Sequence, residues 1–148
     1  KTGDIARKIS TGKMRVVASP DYLALHGRPS HPSELINHQC LGYTASAGVM
    51  NWQFRVDGEF ESFPIRSRIN SNNGEVLTEA AAQGLGITCH PDFIVDRFIK
   101  AGRVKEILAD FPTPELGIYA ILPTNRHIPH RIRVLMDFFT EKLGGEHV

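Results

Sequence analysis

Three short stretches of this 148-residue chain hold side chains able to grip a small molecule. In Thr44-Ala45-Ser46-Ala47-Gly48, two hydroxyls, each a donor and an acceptor, stand among residues small enough to leave backbone N–H groups open to a carboxylate. A solvated turn uses the same composition. In Ser71-Asn72-Asn73, two carboxamides precede a helical pattern. Asn72 and Glu75 have the spacing of an N-cap and its N3 partner, and Asn73 or the first helix N–H groups are placed to meet an anion. In His90-Pro91-Asp92-Phe93, an imidazole and a phenyl ring are suited to flanking an aromatic or acidic group, although Phe93 serves equally well in packing.

Covalent and metal chemistry are poorly supplied. The Thr44–Gly48 run has the outline of the nucleophile elbow G-x-S-x-G, but Thr stands in place of the first glycine and no Asp-His pair accompanies Ser46. The seven histidines include no H-E-x-x-H pattern. His127 and His130 lie beside Pro129 without a cysteine or carboxylate pair nearby, so neither a metal nor a cofactor is expected. Gly84-Leu85-Gly86 follows a helix and precedes a strand, the reverse of a dinucleotide fingerprint, and reads as a turn. Arg126, His127, His130, Arg131 and Arg133 read as the solvated face of a last helix. The 17 Lys and Arg against 16 Asp and Glu leave a net charge of +1, far from the surplus that phosphate neutralisation needs.

Hydrophobic periodicity supplies the elements that would position these stretches. β-Branched and apolar runs predict strands at Ile5–Ile9, Met14–Ala18, Gln39–Tyr43, Trp52–Val56, Ile87–His90, Arg103–Leu108 and Leu116–Leu122. Asp57-Gly58 predicts a tight hairpin whose returning arm, Glu59–Asn70, is broken at Pro64. Helical signals run from Ser19 to Leu25 with a stop at Gly27, from Ser30 to Ile36, from Gly74 to Gln83 with a stop at Gly84, and from Ile128 to Leu143. A further helix opens at Pro91-Asp92 with Phe93, Ile94, Val95, Phe98 and Ile99 facing inward, and ends at Gly102. Phe111–Glu115 is a connection stiffened by proline. The alternation predicts an α/β fold with largely parallel sheets and an antiparallel edge at the hairpin.

At 41% hydrophobic and 22% charged residues the composition is that of an ordinary folded protein, long enough to bury ~70% of its unfolded surface. No apolar run approaches the ~20 residues that span a bilayer, and Lys1–Ser10 lacks the apolar core of a signal peptide. Cys40 and Cys89 sit inside apolar strand-like runs and are expected as reduced core residues.

Two ordered segments, VVASPDYLALHGRPSHPSELINHQCLGY (Val16–Tyr43) and RINSNNGEVLTEAAAQGLGITCHPDF (Arg68–Phe93), together with the tail Gly117–Leu143, resemble the effector domain of LysR-type bacterial transcription regulators. The resemblance implies a periplasmic-binding-protein-like (type 2) two-lobed α/β domain with chain crossings near Gln39 and near Pro112–Glu115. Residues 1–38 and 115–148 would then be the remnant of lobe one and residues 39–114 a complete lobe two. The winged helix-turn-helix, a linker helix and the first part of lobe one would lie outside this chain.

In such a domain a small-molecule effector, a small carboxylate or an aromatic, is implied to sit in an interlobe cleft. Mapped here, that cleft would be lined by Thr44, Ala45, Ser46, Asn72, Asn73, His90 and Phe93. The implied regulator is a cytoplasmic homodimer or homotetramer that reaches DNA only through its winged helix and has no membrane partner. Two other classes compete. An extracytoplasmic solute-binding protein of a transporter would carry an upstream signal peptide, and an α/β enzyme using Ser46 or His90 would turn its ligand over.

Overall fold

The computed structural model describes residues 4–43 and 48–123, with side chains over 11–43 and 50–115. The helix expected at Ile128–Leu143 lies outside the described residues. In chain order the elements are β1 (Asp4–Ala18), α1 (Pro20–His26), a 3-10 helix (Pro32–Asn37), β2 (Cys40–Tyr43), β3 (Gly48–Val56), β4 (Glu59–Ser71), α2 (Gly74–Ala82), β5 (Ile87–Pro91), α3 (Asp92–Lys100), β6 (Lys105–Ile107) and β7 (Glu115–Pro123). They belong to two compact units, Lys13–Pro114 and a second made of Lys1–Gly12 with Glu115–Val148. In the second unit β7 pairs with β1.

Within Lys13–Pro114 the strand order is β3-β4-β2-β5-β1-β6. β2 runs parallel to β4 and β5, while β1 runs antiparallel to β5 and β6 and β3 runs antiparallel to β4. The sheet is therefore mixed rather than largely parallel. The helix-strand alternation legible in sequence produces the crossovers β4-α2-β5 and β5-α3-β6, whose strands share one direction. β1 precedes every crossover, and it is inserted the other way between β5 and β6.

Asp57 and Gly58 both take left-handed backbone conformations (φ 53° and 85°), so the turn matches the twist of the strands and Val56 pairs with Glu59. β4 runs unbroken through Pro64. β2 joins it only from Ser67 onward, which leaves the β2-facing side of β4 without a ladder bond to lose at Pro64. β1 is likewise continuous where two separate strands were expected.

Alternation splits the core between two faces of this sheet. On one face Val16, Ala18, Tyr22, Leu35, Cys40, Phe54, Ile65 and Ile87 pack together. On the other, α2 covers Leu41 with Leu77 and Ala81, and α3 covers Val17 with Val95 and Phe98. Residues 13–38, grouped from sequence with the first lobe, pack inside the Lys13–Pro114 unit. Val16 lies opposite Cys89 in the ladder, and Tyr22 and Leu35 close the same face as Phe54. Long-range strand pairing of this kind leaves no mark on local periodicity. Cys40 and Cys89 are free and buried, and burial pushes both thiols up to about 12, which keeps them protonated and inert.

Candidate functional site

Because β2, β4 and β5 run in one direction, their carboxyl ends, Tyr43, Ser71 and Pro91, emerge on one side, and α2 and α3 begin there. Tyr43 and Ser71 are register partners. In open α/β sheets this is where ligands bind, because helix N–H groups and the positive ends of helix dipoles converge on it.

The cap of α2 is Asn73, one residue later than the spacing of Asn72 and Glu75 predicts. Asn73 Oδ1 accepts from the N–H groups of Glu75 (3.0 Å) and Val76 (3.1 Å), and Ser71 Oγ accepts from the Asn73 N–H (3.0 Å). Asn72 is left exposed beside it. Replacing Asn73 by alanine is expected to cost about 1 kcal/mol in urea denaturation, whereas Asn72→Ala should stay within about 0.5 kcal/mol. Equal losses at the two positions would refute this assignment of the cap.

Phe93 does not face inward as its place in the apolar run suggested. α3 starts at Asp92, so Val95 and Phe98, three residues apart, take the buried stripe and Phe93 turns out to 43% exposure. With Tyr43 (58% exposed) it gives the rim open aromatic surface.

His90 is placed differently again. It is 2% exposed, and its Nε2 lies 2.6 Å from Thr88 Oγ1. Thr88 donates its single hydroxyl proton to Leu41 O (3.0 Å), so Nε2 must carry the imidazole proton and Nδ1 the lone pair. Nδ1 sits against Gly74 in the first turn of α2, where an added Cβ would come within 3.1 Å of it. Tyr43 meets the ring edge-on at a centroid distance of 6.2 Å. Burial pushes His90 down to about 4 and keeps it neutral at ordinary pH. The residue therefore supports the rim from below, linking the ends of β2 and β5 to the start of α2. Tyr43 and Gly74 were missed in the sequence. The available signals were an aromatic residue closing a buried strand and a glycine directly after the cap.

Thr44, Ala45 and Ser46 lie outside the described residues. Among the described residues no group of three or more His, Cys, Asp or Glu is placed to hold a metal ion, and no helix is long and apolar enough to cross a membrane.

A mixed α/β unit with strand ends and helix starts on one side is an architecture on which small-molecule-binding domains are built. Comparison with known proteins specifies which one: residues 3–144 match the model described as the LysR substrate binding domain, and the chain belongs to that family. It is 34% identical over 141 residues to the HTH-type transcriptional regulator CrgA of Neisseria meningitidis, covering 95% of this chain and 47% of CrgA. It is 30% identical over 141 residues to PtxR of Pseudomonas aeruginosa, covering 95% of this chain and 45% of PtxR. The chain thus spans about half the length of the curated relatives it matches. The solved regulatory domain of CrgA superposes with a TM-score of 0.85 at 34% identity, covering 97% of this chain and 71% of that one. Full-length AphB of Vibrio cholerae superposes with a TM-score of 0.79 at 33% identity, covering 96% and 49%. These relatives are transcriptional regulators, not enzymes.

Proposed function

We propose that this chain senses a small anionic or aromatic effector at the strand-end rim, and that the bound effector controls DNA binding by a complete regulator carrying a winged helix-turn-helix. The observation that carries this reading is the convergence of three parallel strand ends with the starts of α2 and α3, edged by the exposed rings of Tyr43 and Phe93. Asn73 and the hydroxyls of Thr44 and Ser46, with Ala45 between them, are the polar groups proposed to orient the ligand. Asn72 flanks them, and His90 holds the floor. Control requires only that the effector bind one state of the regulator better than the other. Such regulators work as homodimers or homotetramers in this reading.

A thermal-shift screen of small carboxylates and aromatics on the protein tests it, since a ligand selective for the folded state raises Tm. Asn73→Asp keeps an acceptor for the helix cap while setting a negative charge at the rim. It is expected to leave stability intact and to weaken an anionic hit at least tenfold, and Ser46→Ala should weaken it as well. Unaltered affinity in both variants would remove the rim from the ligand's path.

A further inference from the structure

Where β2 begins, beside residues 66–68 of β4, lies a pocket of about 530 Å3, formed by residues 36–39 together with Arg66, Ser67 and Arg68. It exists because of a bulge. The pairing steps from Cys40 opposite Ser67 directly to Leu41 opposite Ile69, leaving Arg68 as an extra residue on β4. Ser67 pins this irregularity, its Oγ accepting from the Gly42 N–H (2.9 Å) and lying 2.7 Å from Asn70 Oδ1.

The charge in this pocket is not balanced from within. Among the arginines whose side chains are described, Arg15, Arg97 and Arg103 each pair with a carboxylate, Arg28 donates to Glu106 O, and Arg55 stacks over Phe60. Arg66 and Arg68 alone have no such partner. Glu34, whose charge reaches His38, is occupied by the N–H and hydroxyl of Ser30.

The remaining polar groups are donors or neutral. Gln39 N–H donates to the Tyr22 hydroxyl (3.1 Å), which lies 2.8 Å from His38 Nδ1. Asn37 and Gln39 add carboxamides. Two unpaired guanidinium forks, an imidazole and two carboxamides around a space of small-molecule size make up a receptor for concentrated negative charge.

The geometry points to a second binding site, apart from the strand-end rim, that takes a small, multiply charged oxyanion, a phosphate or a polycarboxylate, between Arg66 and Arg68. Calorimetric titration of the protein with inorganic phosphate and with citrate, at fixed ionic strength, tests it. Saturable binding of at least one anion is expected, and the responding anion tells phosphate from carboxylate recognition. Arg66→Ala with Arg68→Ala should weaken that binding at least tenfold. Both positions are exposed, so the urea midpoint should not move. Arg66→Lys with Arg68→Lys retains charge and fold but loses the planar fork, and a loss of at least threefold is expected. Asn73→Asp, at the rim, should leave this binding unchanged. The site is overturned if neither anion saturates, if both arginine double variants bind like the wild type, or if Asn73→Asp weakens binding as much as they do.

Discussion

Lowering the pH from 7 to 4 is expected to remove about 3 kcal/mol of folding stability through His90 alone, a part of the pH slope that His90→Gln removes. In the folded protein His90 titrates at about 4, against 6.5 for a free imidazole. Between those values the unfolded chain holds a proton that the folded chain refuses, so stability rises with pH across the window. It is complete above 6.5 and is lost as the pH falls toward 4. Burial is the cause, and an imidazolium there would also face the start of α2 through Gly74. His38 is lowered as well, by burial first, and contributes in the same direction. The Glu79 carboxylate, held down to about 2 by Arg103, loses its contribution from about 4.5 downward, so it adds to the loss only at the acid end of this range and does so equally in both proteins. Chemical denaturation at a series of pH values, wild type beside His90→Gln, isolates the histidine. Identical slopes in the two proteins would show that His90 is not the buried neutral group described.

The second large effect belongs to Gly86. An alanine Cβ at this position would fall 2.7 Å from the carbonyl oxygen of Gln39 and 3.1 Å from its carbon. That oxygen is held in place because it accepts the Ile87 N–H (2.9 Å) at the start of the β2-β5 pairing. A flexible side chain would swing aside, but a paired backbone cannot, so Gly86→Ala is expected to cost about 3 kcal/mol. Gly84, two residues earlier, has a left-handed φ of 90° and nothing nearer to an added Cβ than Ser19 Oγ at 3.7 Å. Its alanine variant pays only the conformational penalty, about 1–2 kcal/mol. Urea midpoints for the two variants separate these causes, and a milder effect at Gly86 than at Gly84 would contradict the close approach.

These glycines mark the boundary of what was legible. Gly84-Leu85-Gly86 could be read as a turn from order alone, and Asp57-Gly58 as a hairpin, because turn chemistry is local. The helix of residues 74–82 announced itself through Val76, Leu77, Ala80 and Ala81, read as one face, although Val76 turns out exposed. Its cap was displaced by one residue because Asn72 and Asn73 are chemically equivalent, and only the backbone decides which of them turns inward. The exposure of Phe93 and the burial of His90 were not legible for a tertiary reason. Each sits where an apolar stripe meets an open edge, and exposure there depends on which residue starts α3 and on Tyr43 and Gly74 enclosing the imidazole. The direction of β1 was beyond reach, since its partners, Ile107 and Cys89, lie far along the chain. The pocket beside Arg66 and Arg68 depends on a bulge that no periodicity encodes.

The proline-bearing segment at 111–114 has a consequence for how copies of this protein behave in crowded solution. β3 is a terminal strand of its sheet, the kind of margin on which foreign strands accrete into insoluble deposits. Arg55 on β3 donates its N–H to the carbonyl of Pro112 (2.7 Å), so a short piece of the protein's own backbone occupies that margin. Pro112 and Pro114 have no N–H to offer, and the ladder cannot propagate through them. The segment thus serves as a stopper against runaway self-association, which makes residues 112 and 114 poor places to substitute in any variant meant to stay dispersed at high concentration.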